Sequence, residues 1–297
     1  MINSIKRELK RTKGISRAVM MEHTLFSLPL AIVAFVSESG GKPQLSKFFW
    51  IILAVFTARN GANALNRIID NKIDKANPRT SNRDIPSGRV KIRDLWIFII
   101  LCGLIFILSA WKLNTLCLLL VPVALILVGG YSFSKRFTWL CHYWLGVTCA
   151  IAVMGSFLAI TGSFELRFFP LTIAASLWIA GFDIIYALQD IDHDRNHNLF
   201  SVPARFGRKG ALYIAGLSHI GTILFFIINS FFYQFGAFYF VGVIIAALLL
   251  LSEHLLAWNG NLKWIPLASY HLNQILSPMF MFFTLLDIYL PGGIFGN

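Results

Sequence analysis

Charged side chains are scarce in this sequence. Only 13% of its 297 residues are Asp, Glu, Lys or Arg, whereas 57% are hydrophobic. A soluble domain of this size carries about twice that share of charge. Apolar runs recur from Thr24 to Leu290, and a run of about 20 residues is enough for a helix to cross a bilayer. The composition therefore excludes an ordinary soluble domain and predicts an all-α, polytopic membrane protein.

Cysteine is also scarce, and its four copies show no paired spacing. Cys102, Cys117, Cys141 and Cys149 lie in apolar runs or at their ends, and none belongs to a CxxC pair. A pair of that kind would suggest a zinc site or a redox site. We therefore expect ordinary core residues rather than disulfides or metal ligands.

The apolar runs predict about nine membrane spans around a central cavity, in a single transmembrane domain that covers residues 1–297. A basic tail, residues 1–18, precedes the first span. No small-residue cleavage site stands out after it, so we expect no cleavable signal peptide. The predicted spans lie at residues 19–37, 47–69, 93–110, 114–131, 139–162, 167–189, 211–232, 236–256 and 267–290.

Acidic residues are few, and the excess of basic residues gives a net charge of +12. Such a charge could indicate nucleic-acid binding, but its distribution favours membrane topology instead. With a cytoplasmic N-terminus, 20 Lys and Arg residues lie in cytoplasmic segments and 4 on the opposite side, as the positive-inside rule requires. We therefore predict a protein of the cell (inner) membrane without a nucleic-acid partner. No pattern in the sequence indicates an oligomeric state.

The most polar stretch of the chain follows the second span. Asn66, Asp70 and Asp74 stand four residues apart. On a helix this spacing keeps side chains on one face, about 6 Å apart along the axis. Oxygen-bearing side chains in such a row can hold a hard cation such as Mg²⁺. With guanidinium groups beside it, the stretch predicts a holder for a metal-bound diphosphate. Three arginines follow in the adjoining loop: Arg79, Arg83 and Arg89.

A second acidic motif follows the sixth span and repeats this spacing. Tyr186, Asp190 and Asp194 also stand four residues apart, 120 residues after the first set. One such cluster could be a solvated, charge-balanced loop. Two clusters of equal spacing on the same side of the membrane favour a shared functional site.

Two ionisable residues lie deeper, within the spans. Arg59 stands seven residues before Asn66, and Asp183 stands seven residues before Asp190. Ionisable groups inside a membrane are costly and are therefore candidates for function. Arg59 could instead extend its side chain to the membrane surface. Its place on the same helical stripe as Asn66 favours a role in the site.

These motifs resemble the UbiA family of intramembrane prenyltransferases, and most of all its 4-hydroxybenzoate polyprenyltransferase branch. The resemblance covers nearly the whole chain. Arg67 stands where many relatives have Asp, which leaves one carboxylate fewer in the first motif. The matching residues are Asn66 to Asp74, Asn77-Pro78-Arg79-Thr80, Arg83 to Gly88, Tyr131-x₃-Lys135-Arg136, Tyr186 to Asp194, and Pro203 to Gly207.

The resemblance implies a Mg²⁺-dependent aromatic polyprenyltransferase of ubiquinone or menaquinone biosynthesis. Its substrates would be a polyprenyl diphosphate, with its tail in a groove facing the lipid bilayer, and an aromatic acid of the 4-hydroxybenzoate type. Two Mg²⁺ ions are implied. Asn66, Asp70 and Asp74 would hold one ion, and Asp190 and Asp194 would hold the other.

The same resemblance implies roles for the remaining polar residues. Lys135, Arg83 and Arg89 would stabilise the departing diphosphate. Asp183 would orient the acceptor's hydroxyl group or accept its proton. The residues expected on the acceptor side of the cavity are Arg59, at the acceptor's carboxylate, Tyr131 and Tyr186.

Two alternatives stay open at this point. The first is the same chemistry on another acceptor, such as 1,4-dihydroxy-6-naphthoate, homogentisate or haem, although nothing marks a porphyrin site. The second is a different class of protein, a cation-coupled transporter that uses the intramembrane acids. Transporter sites usually lie near the middle of the membrane, whereas these motifs lie at the ends of spans, which favours the enzyme.

The charge distribution predicts that both acidic motifs face the cytoplasm. After replacement of the four native cysteines, Ser81→Cys and Asn198→Cys should react with a membrane-impermeant thiol reagent only once the cells are opened. Ser163→Cys, in a loop predicted on the opposite side, should react in intact cells. Labelling of either motif from outside would contradict the predicted orientation.

Overall fold

Helices provide the regular structure of the chain. A computed structural model describes residues 14–20 and 24–290, and no strand occurs in this part. The predicted all-α fold is therefore confirmed. Most of the predicted basic tail, residues 1–13, lies outside the described residues, as do residues 291–297.

The α-helices of the described part are numbered along the chain, with short 3₁₀ and π turns between some of them. They are α1 (residues 14–19), α2 (Thr24–Glu38), α3 (Leu45–Ile69), α4 (Asn71–Ala76), α5 (Ile92–Leu113), α6 (Thr115–Leu119), α7 (Val121–Ser134), α8 (Cys141–Thr161), α9 (Phe169–Tyr186), α10 (Ile191–Asn196), α11 (Val202–Tyr233), α12 (Ala237–Trp258) and α13 (Leu272–Tyr289).

Helical structure occupies each of the nine predicted spans. Within the described residues, six helical segments are long and apolar enough to cross a membrane, and α2 and α7 are shorter apolar helices. These lengths confirm a multi-pass membrane protein, while the number of nine crossings stays a prediction. The six segments are Leu45–Ile69, Ile92–Leu113, Cys141–Thr161, Leu166–Asn196, Val202–Tyr233 and Ala237–Trp258.

The centre of the bundle is α9, which packs between α8 and α11. Trp178 of α9 is fully buried. On its neighbour α8, Phe157 stacks on Phe168 with ring centres 4.7 Å apart. The two helices approach closely because Gly146 has no side chain, since a Cβ there would lie 2.2 Å from the Ser176 carbonyl oxygen. Close backbone approach at small residues gives membrane helices the van der Waals contact that holds them together.

The outer surface is apolar where lipid would surround it. On α5, the side chains of Ile100, Leu104 and Trp111 are each about 60% exposed. The stretch from Ile100 to Trp111 covers about three helical turns. An exposed apolar patch of this size would favour aggregation in water, but it matches the polarity of the lipid hydrocarbon. This surface agrees with the multi-pass membrane assignment.

Two long helices end at the same end of the bundle and there carry the acidic motifs. α3 ends at Ile69, and the short α4 continues after Asp70. α9 ends at Tyr186, and a 3₁₀ turn leads from it into the short α10. The fold therefore brings together two polar segments that lie far apart in sequence.

A buried carboxylate of α13 caps the start of α12 at the other end of the bundle. Asp287 is 1% exposed. It accepts hydrogen bonds from the Gly236 N–H at 2.7 Å and from the Tyr239 N–H at 3.2 Å. The first N–H groups of a helix lack partners within the helix, and a negative charge also suits this positive end of the helix dipole. The contact accounts for a charge in the last apolar run.

Removal of this cap should destabilise the protein without touching the polar motifs. Asp287→Ala leaves the half-buried Gly236 N–H and the buried Tyr239 N–H unpaired, so we expect a loss of about 1–3 kcal/mol of stability and a lower midpoint of thermal unfolding in detergent. Asp287→Asn keeps an acceptor oxygen and should lose less. An unchanged midpoint for Asp287→Ala would contradict the capping role.

Candidate functional site

The two acidic motifs line one polar cavity of about 240 Å³. Its walls come from α3 and α4 on one side and from α9 and α10 on the other, with the adjoining ends of α7 and α8 between them. Eleven residues predicted from the sequence to belong to the site lie in these walls: Arg59, Asn66, Asp70, Asp74, Arg83, Tyr131, Lys135, Asp183, Tyr186, Asp190 and Asp194.

The first wall keeps the predicted four-residue spacing although its helix is interrupted. α3 and α4 meet at Asp70, but helical hydrogen bonds continue across the break. The Asp70 N–H donates to the Asn66 carbonyl and the Asp74 N–H donates to the Asp70 carbonyl, both at 2.8 Å. The Asn66 side-chain amide also donates to the Asp70 carboxylate at 3.1 Å. The three side chains therefore face the same cavity.

The second wall carries its motif across a 3₁₀ turn. Tyr186, Asp190 and Asp194 all line the cavity. Asp194 is 9% exposed and accepts a hydrogen bond from the Ser201 hydroxyl at 2.8 Å. Asp192, between the two acids, is exposed and does not line the cavity. The spacing of the motif thus separates the cavity-facing acids from an acid that faces outward.

A cation lies against three of the four motif carboxylates. Lys135 Nζ is 3.2 Å from Asp70, and Arg83 is 2.6 Å from Asp74. Asp70 and Asp74 are each only 6% exposed as side chains. Because an unpaired charge at such a depth is costly, these ion pairs are a condition for burying the acids.

Arg79 joins the two walls. Its guanidinium forms a bidentate ion pair with Asp190, with one of its contacts at 2.9 Å, and it also donates to the Tyr186 hydroxyl at 3.0 Å. Asn77 donates to the same carboxylate at 2.8 Å. The segment after α4 is therefore fastened to the end of α9 by charge-assisted hydrogen bonds, which are the stronger kind.

The donor set of the cavity suits a hard cation. Oδ1 of Asp70 and Oδ2 of Asp74 are buried without a hydrogen-bond partner among the described residues. No group of three or more His, Cys, Asp or Glu side chains close enough to hold a metal occurs in residues 14–20 and 24–290. Mg²⁺ is commonly bound by one or two carboxylates together with substrate phosphates and water. The two carboxylate walls fit that mode of binding and not an all-protein cage.

An apolar cavity of about 370 Å³ adjoins the polar one. It lies between α3, α5, α7 and α8, and Arg59 belongs to the walls of both cavities. The Arg59 guanidinium donates to the Cys149 thiol, and its Nε atom is buried without a partner among the described residues. Arg59 therefore points into the protein and is not extended to the surface.

Arg89 lies apart from the other predicted site residues. It does not line the polar cavity, and its guanidinium donates to the Asp84 carboxylate at 2.7 Å. Arg17 of α1 contacts the same carboxylate at 2.5 Å. Burial raises the pKa of the Asp84 carboxyl, but hydrogen bonds from Arg17 and Arg89 outweigh this and hold that pKa below its usual value. In this structure Arg89 thus fastens the loop and does not face the predicted diphosphate site.

The contacts of two cavity residues were not predicted from the sequence. Arg79 belongs to a motif that the family resemblance includes, but its contact with Asp190 spans 111 residues. His142 lies 2.7 Å from Asp183, and no spacing rule connects a residue at the start of α8 with one near the end of α9. In the sequence, the charge of Arg79 close to the first motif indicated a place in the site, whereas nothing indicated one for His142.

A model for the UbiA prenyltransferase family matches residues 27–274 of the chain. The chain belongs to this family. The 4-hydroxybenzoate octaprenyltransferase of Tolumonas auensis is 30% identical over 236 residues, which cover 79% of this chain and 79% of the relative. The protein of the same name from Salmonella paratyphi C is 30% identical over 261 residues, covering 85% of this chain and 84% of the relative.

Solved structures of UbiA homologues share the fold. The apo structure of a UbiA homologue from Aeropyrum pernix K1 superposes with a TM-score of 0.83 at 34% identity, covering 91% of this chain and 99% of the homologue. A UbiA homologue from Archaeoglobus fulgidus bound to GPP and Mg²⁺ has a TM-score of 0.67 at 18% identity, covering 91% and 98%. The second likeness concerns the fold alone. Together these findings confirm the resemblance and the fold class predicted from the sequence.

The contacts of Asp84 predict that this residue keeps the loop between α4 and α5, which carries Arg79 and Arg83, folded. Asp84→Asn and Arg17→Gln should each raise the rate of tryptic cleavage after Arg79 or Arg83 by about two- to fivefold, since partly exposed ion pairs contribute modestly. Mass spectrometry of the fragments measures this rate. Glu165→Gln, which weakens an ion pair at the other end of the bundle, is the control and should not change it. A rate unaffected by Asp84→Asn would contradict the role of Asp84.

Proposed function

We propose that this UbiA-family enzyme transfers a polyprenyl group from a polyprenyl diphosphate to an aromatic acid of the 4-hydroxybenzoate type. The reaction would serve ubiquinone or menaquinone biosynthesis at the cell (inner) membrane, with both acidic motifs on the cytoplasmic side. The observation that carries the proposal is the polar cavity, in which Asp70 and Asp74 lie on one wall and Asp190 and Asp194 on the other.

The shape of the two cavities supports a donor with a charged head and an apolar tail. The polar cavity holds acids and cations, whereas the adjoining cavity is lined almost entirely by apolar side chains. A prenyl diphosphate divides in the same way. The names of the relatives and the GPP bound to the Archaeoglobus fulgidus homologue agree with this choice of donor.

The acidic residues would hold the metal that the proposed reaction uses. We place one Mg²⁺ at Asn66, Asp70 and Asp74 and a second at Asp190 and Asp194, on the oxygen chemistry of the two walls. When bound there, Mg²⁺ would supply Lewis-acid stabilisation of the leaving diphosphate. The Mg²⁺ in the Archaeoglobus fulgidus homologue supports the choice of ion.

The cations of the cavity would bind the diphosphate itself. Lys135 and Arg83 lie in the cavity wall beside Asp70 and Asp74, and Arg79 lies beside Asp190. Guanidinium and ammonium groups fixed where negative charge develops lower the barrier to breaking the allylic C–O bond. We therefore add Arg79 to the proposed diphosphate-binding residues, in place of Arg89.

The acceptor would lie deeper than the diphosphate, against Arg59 and Asp183. Arg59 stands two helical turns below Asn66 and would bind the acceptor's carboxylate with its planar fork. Asp183 would receive the proton of the acceptor's hydroxyl group. Tyr131 and Tyr186 would form the part of the cavity wall around the acceptor's ring. These groups face the same cavity as the acids, so a ring held there would adjoin the reacting carbon of the donor.

Product analysis tests this function directly. Purified protein in lipid vesicles is offered a prenyl diphosphate and, in parallel, 4-hydroxybenzoate, 1,4-dihydroxy-6-naphthoate or homogentisate, and products are identified by mass spectrometry. We expect a prenylated aromatic acid, with 4-hydroxybenzoate as the preferred acceptor. Preference for the naphthoate would support the proposed prenyl transfer but identify a different acceptor. No prenylated product from any acceptor would refute the function.

Removal of the metal or of one acid from either wall should abolish most of the activity. Asp70→Ala and Asp190→Ala should each lower kcat by about 10²-fold or more, the scale of a lost group that stabilises the transition state. EDTA should do the same, and added Mg²⁺ should reverse it. Asp192→Asn is the matched control, because its side chain is exposed outside the cavity. Full turnover in EDTA would leave the metal role without support.

Substitution of Arg59 should raise the KM of the acceptor and leave the KM of the donor nearly unchanged. A charge-assisted contact in a poorly hydrated place contributes roughly 2–3 kcal/mol, so Arg59→Leu should raise the KM of the aromatic acid by about 30-fold or more. Arg59→Lys should recover part of the loss, because an ammonium lacks the planar fork. Steady-state kinetics with each substrate varied measures both constants. An equal rise in the donor's KM would place Arg59 at the diphosphate.

A further inference from the structure

Asp183 has a partner in the cavity wall to which the proposed function gives no role. His142, the second residue of α8, lies with Nδ1 2.7 Å from Oδ2 of Asp183. Both side chains line the polar cavity. The His142 side chain is 4% exposed and the Asp183 side chain is 25% exposed. The carboxylate is therefore the accessible member of the pair, and the imidazole lies behind it.

The direction of this hydrogen bond follows from the chemistry of the two groups. An ionised carboxylate only accepts hydrogen bonds, so the hydrogen lies on Nδ1 of His142. That arrangement engages Oδ2 of Asp183 and leaves Oδ1 available to a ligand. Nε2 of His142 is buried without a hydrogen-bond partner in the described part of the chain. The neighbouring Cys141 thiol donates elsewhere, to the Phe200 carbonyl at 3.5 Å.

The kind of partner distinguishes Asp183 from three other acids of the cavity. Asp70, Asp74 and Asp190 each face an ammonium or guanidinium group. An imidazole instead orients a carboxylate by a single directed hydrogen bond from one ring nitrogen. Asp183 thus has one oxygen engaged by an imidazole, and its side chain is the more exposed of that pair.

Resting on the proposed function, we propose that His142 is a positioning residue for the acceptor reaction. It holds the Asp183 carboxylate so that the other oxygen, Oδ1, accepts the proton of the acceptor's hydroxyl group. The substrate class is an aromatic compound that carries a hydroxyl group beside the carbon to be prenylated. A base placed within hydrogen-bond reach of such a proton contributes to catalysis when its geometry is fixed.

The proposed proton transfer balances within the prenylation reaction. The allylic C–O bond breaks, and its electron pair leaves with the diphosphate. A π-electron pair of the ring forms the new C–C bond to the allylic carbon while the hydroxyl proton passes to Asp183, which yields a neutral dienone. The proton on the substituted ring carbon then passes to the diphosphate. Asp183 returns its proton to the oxygen, which restores the aromatic phenol and the free carboxylate.

Three variants separate positioning from a structural role. His142→Leu removes the hydrogen bond, and His142→Asn places an amide N–H close to the position of Nδ1. Tyr143→Phe is the control in the same turn of α8. Its hydroxyl bonds to Ser218 at 2.9 Å, and the residue lines neither cavity. Each variant is assayed in lipid vesicles for kcat, for the KM of both substrates and for its midpoint of thermal unfolding.

We expect His142→Leu to lower kcat by about 10²-fold, the lower end of general acid–base contributions, with an unchanged KM for the donor. His142→Asn should recover kcat to within about tenfold of the wild type. A ring-fluorinated acceptor, whose hydroxyl group is more acidic, should lose less activity than its parent in His142→Leu. This last result would not arise from a loss of folding alone.

Two outcomes would overturn the inference while the proposed function stands. One is a wild-type kcat in His142→Leu. The other is an equal loss with both acceptors that His142→Asn does not recover, together with a lower unfolding midpoint. A wild-type protein that forms no prenylated product would instead overturn the proposed function, and the inference with it.

Discussion

Charge must be neutralised wherever it lies out of water, and this constraint governs how the few ionisable residues of the chain are arranged. The motif acids are nearly buried at the ends of helices that otherwise cross an apolar bundle. A buried carboxylate is tolerated when a cation or hydrogen-bond donors meet it. Accordingly, Asp70 faces Lys135, Asp74 faces Arg83 and Asp190 faces Arg79.

The same pairs link the structure of the cavity to its proposed function. Arg79 and Asn77 come from the segment after α4, yet they bind Asp190 beyond the end of α9. The pairing therefore holds the two walls of the cavity together. Under the proposed function, a magnesium diphosphate would replace both sides of each ion pair. The metal ions would attract the acids, and the phosphate oxygens would attract the cations. Binding would then exchange ion pairs without leaving a buried charge unmatched.

Local periodicity explains which parts of the site the sequence could predict. The spacing of Asn66, Asp70 and Asp74 survives a helix break because the hydrogen bonds of the helix continue through it. Helix-length apolar runs likewise predicted a helix in every span. Both depend on neighbours within a few residues, which a single sequence displays.

Contacts between distant segments explain what the sequence could not predict. Arg89 and Arg83 stand six residues apart in one polar loop, but only Arg83 reaches the cavity, because an ion pair with Asp84 holds Arg89 elsewhere. His142 contacts Asp183 through the packing of α8 on α9, which Gly146 permits about one helical turn from His142. Such pairings follow from the tertiary packing and from no local pattern.

The exchange of ion pairs is tested most directly by ligand binding without turnover. A prenyl thiolodiphosphate, whose C–S bond resists cleavage, can be titrated calorimetrically into the protein in lipid nanodiscs with Mg²⁺ or with EDTA. Without the ion, the acids of the cavity stay paired with the cations that the diphosphate would need. The affinity for the ligand should therefore fall by about 10²-fold or more, which is at least about 2.7 kcal/mol. Equal affinity in Mg²⁺ and in EDTA would contradict the account.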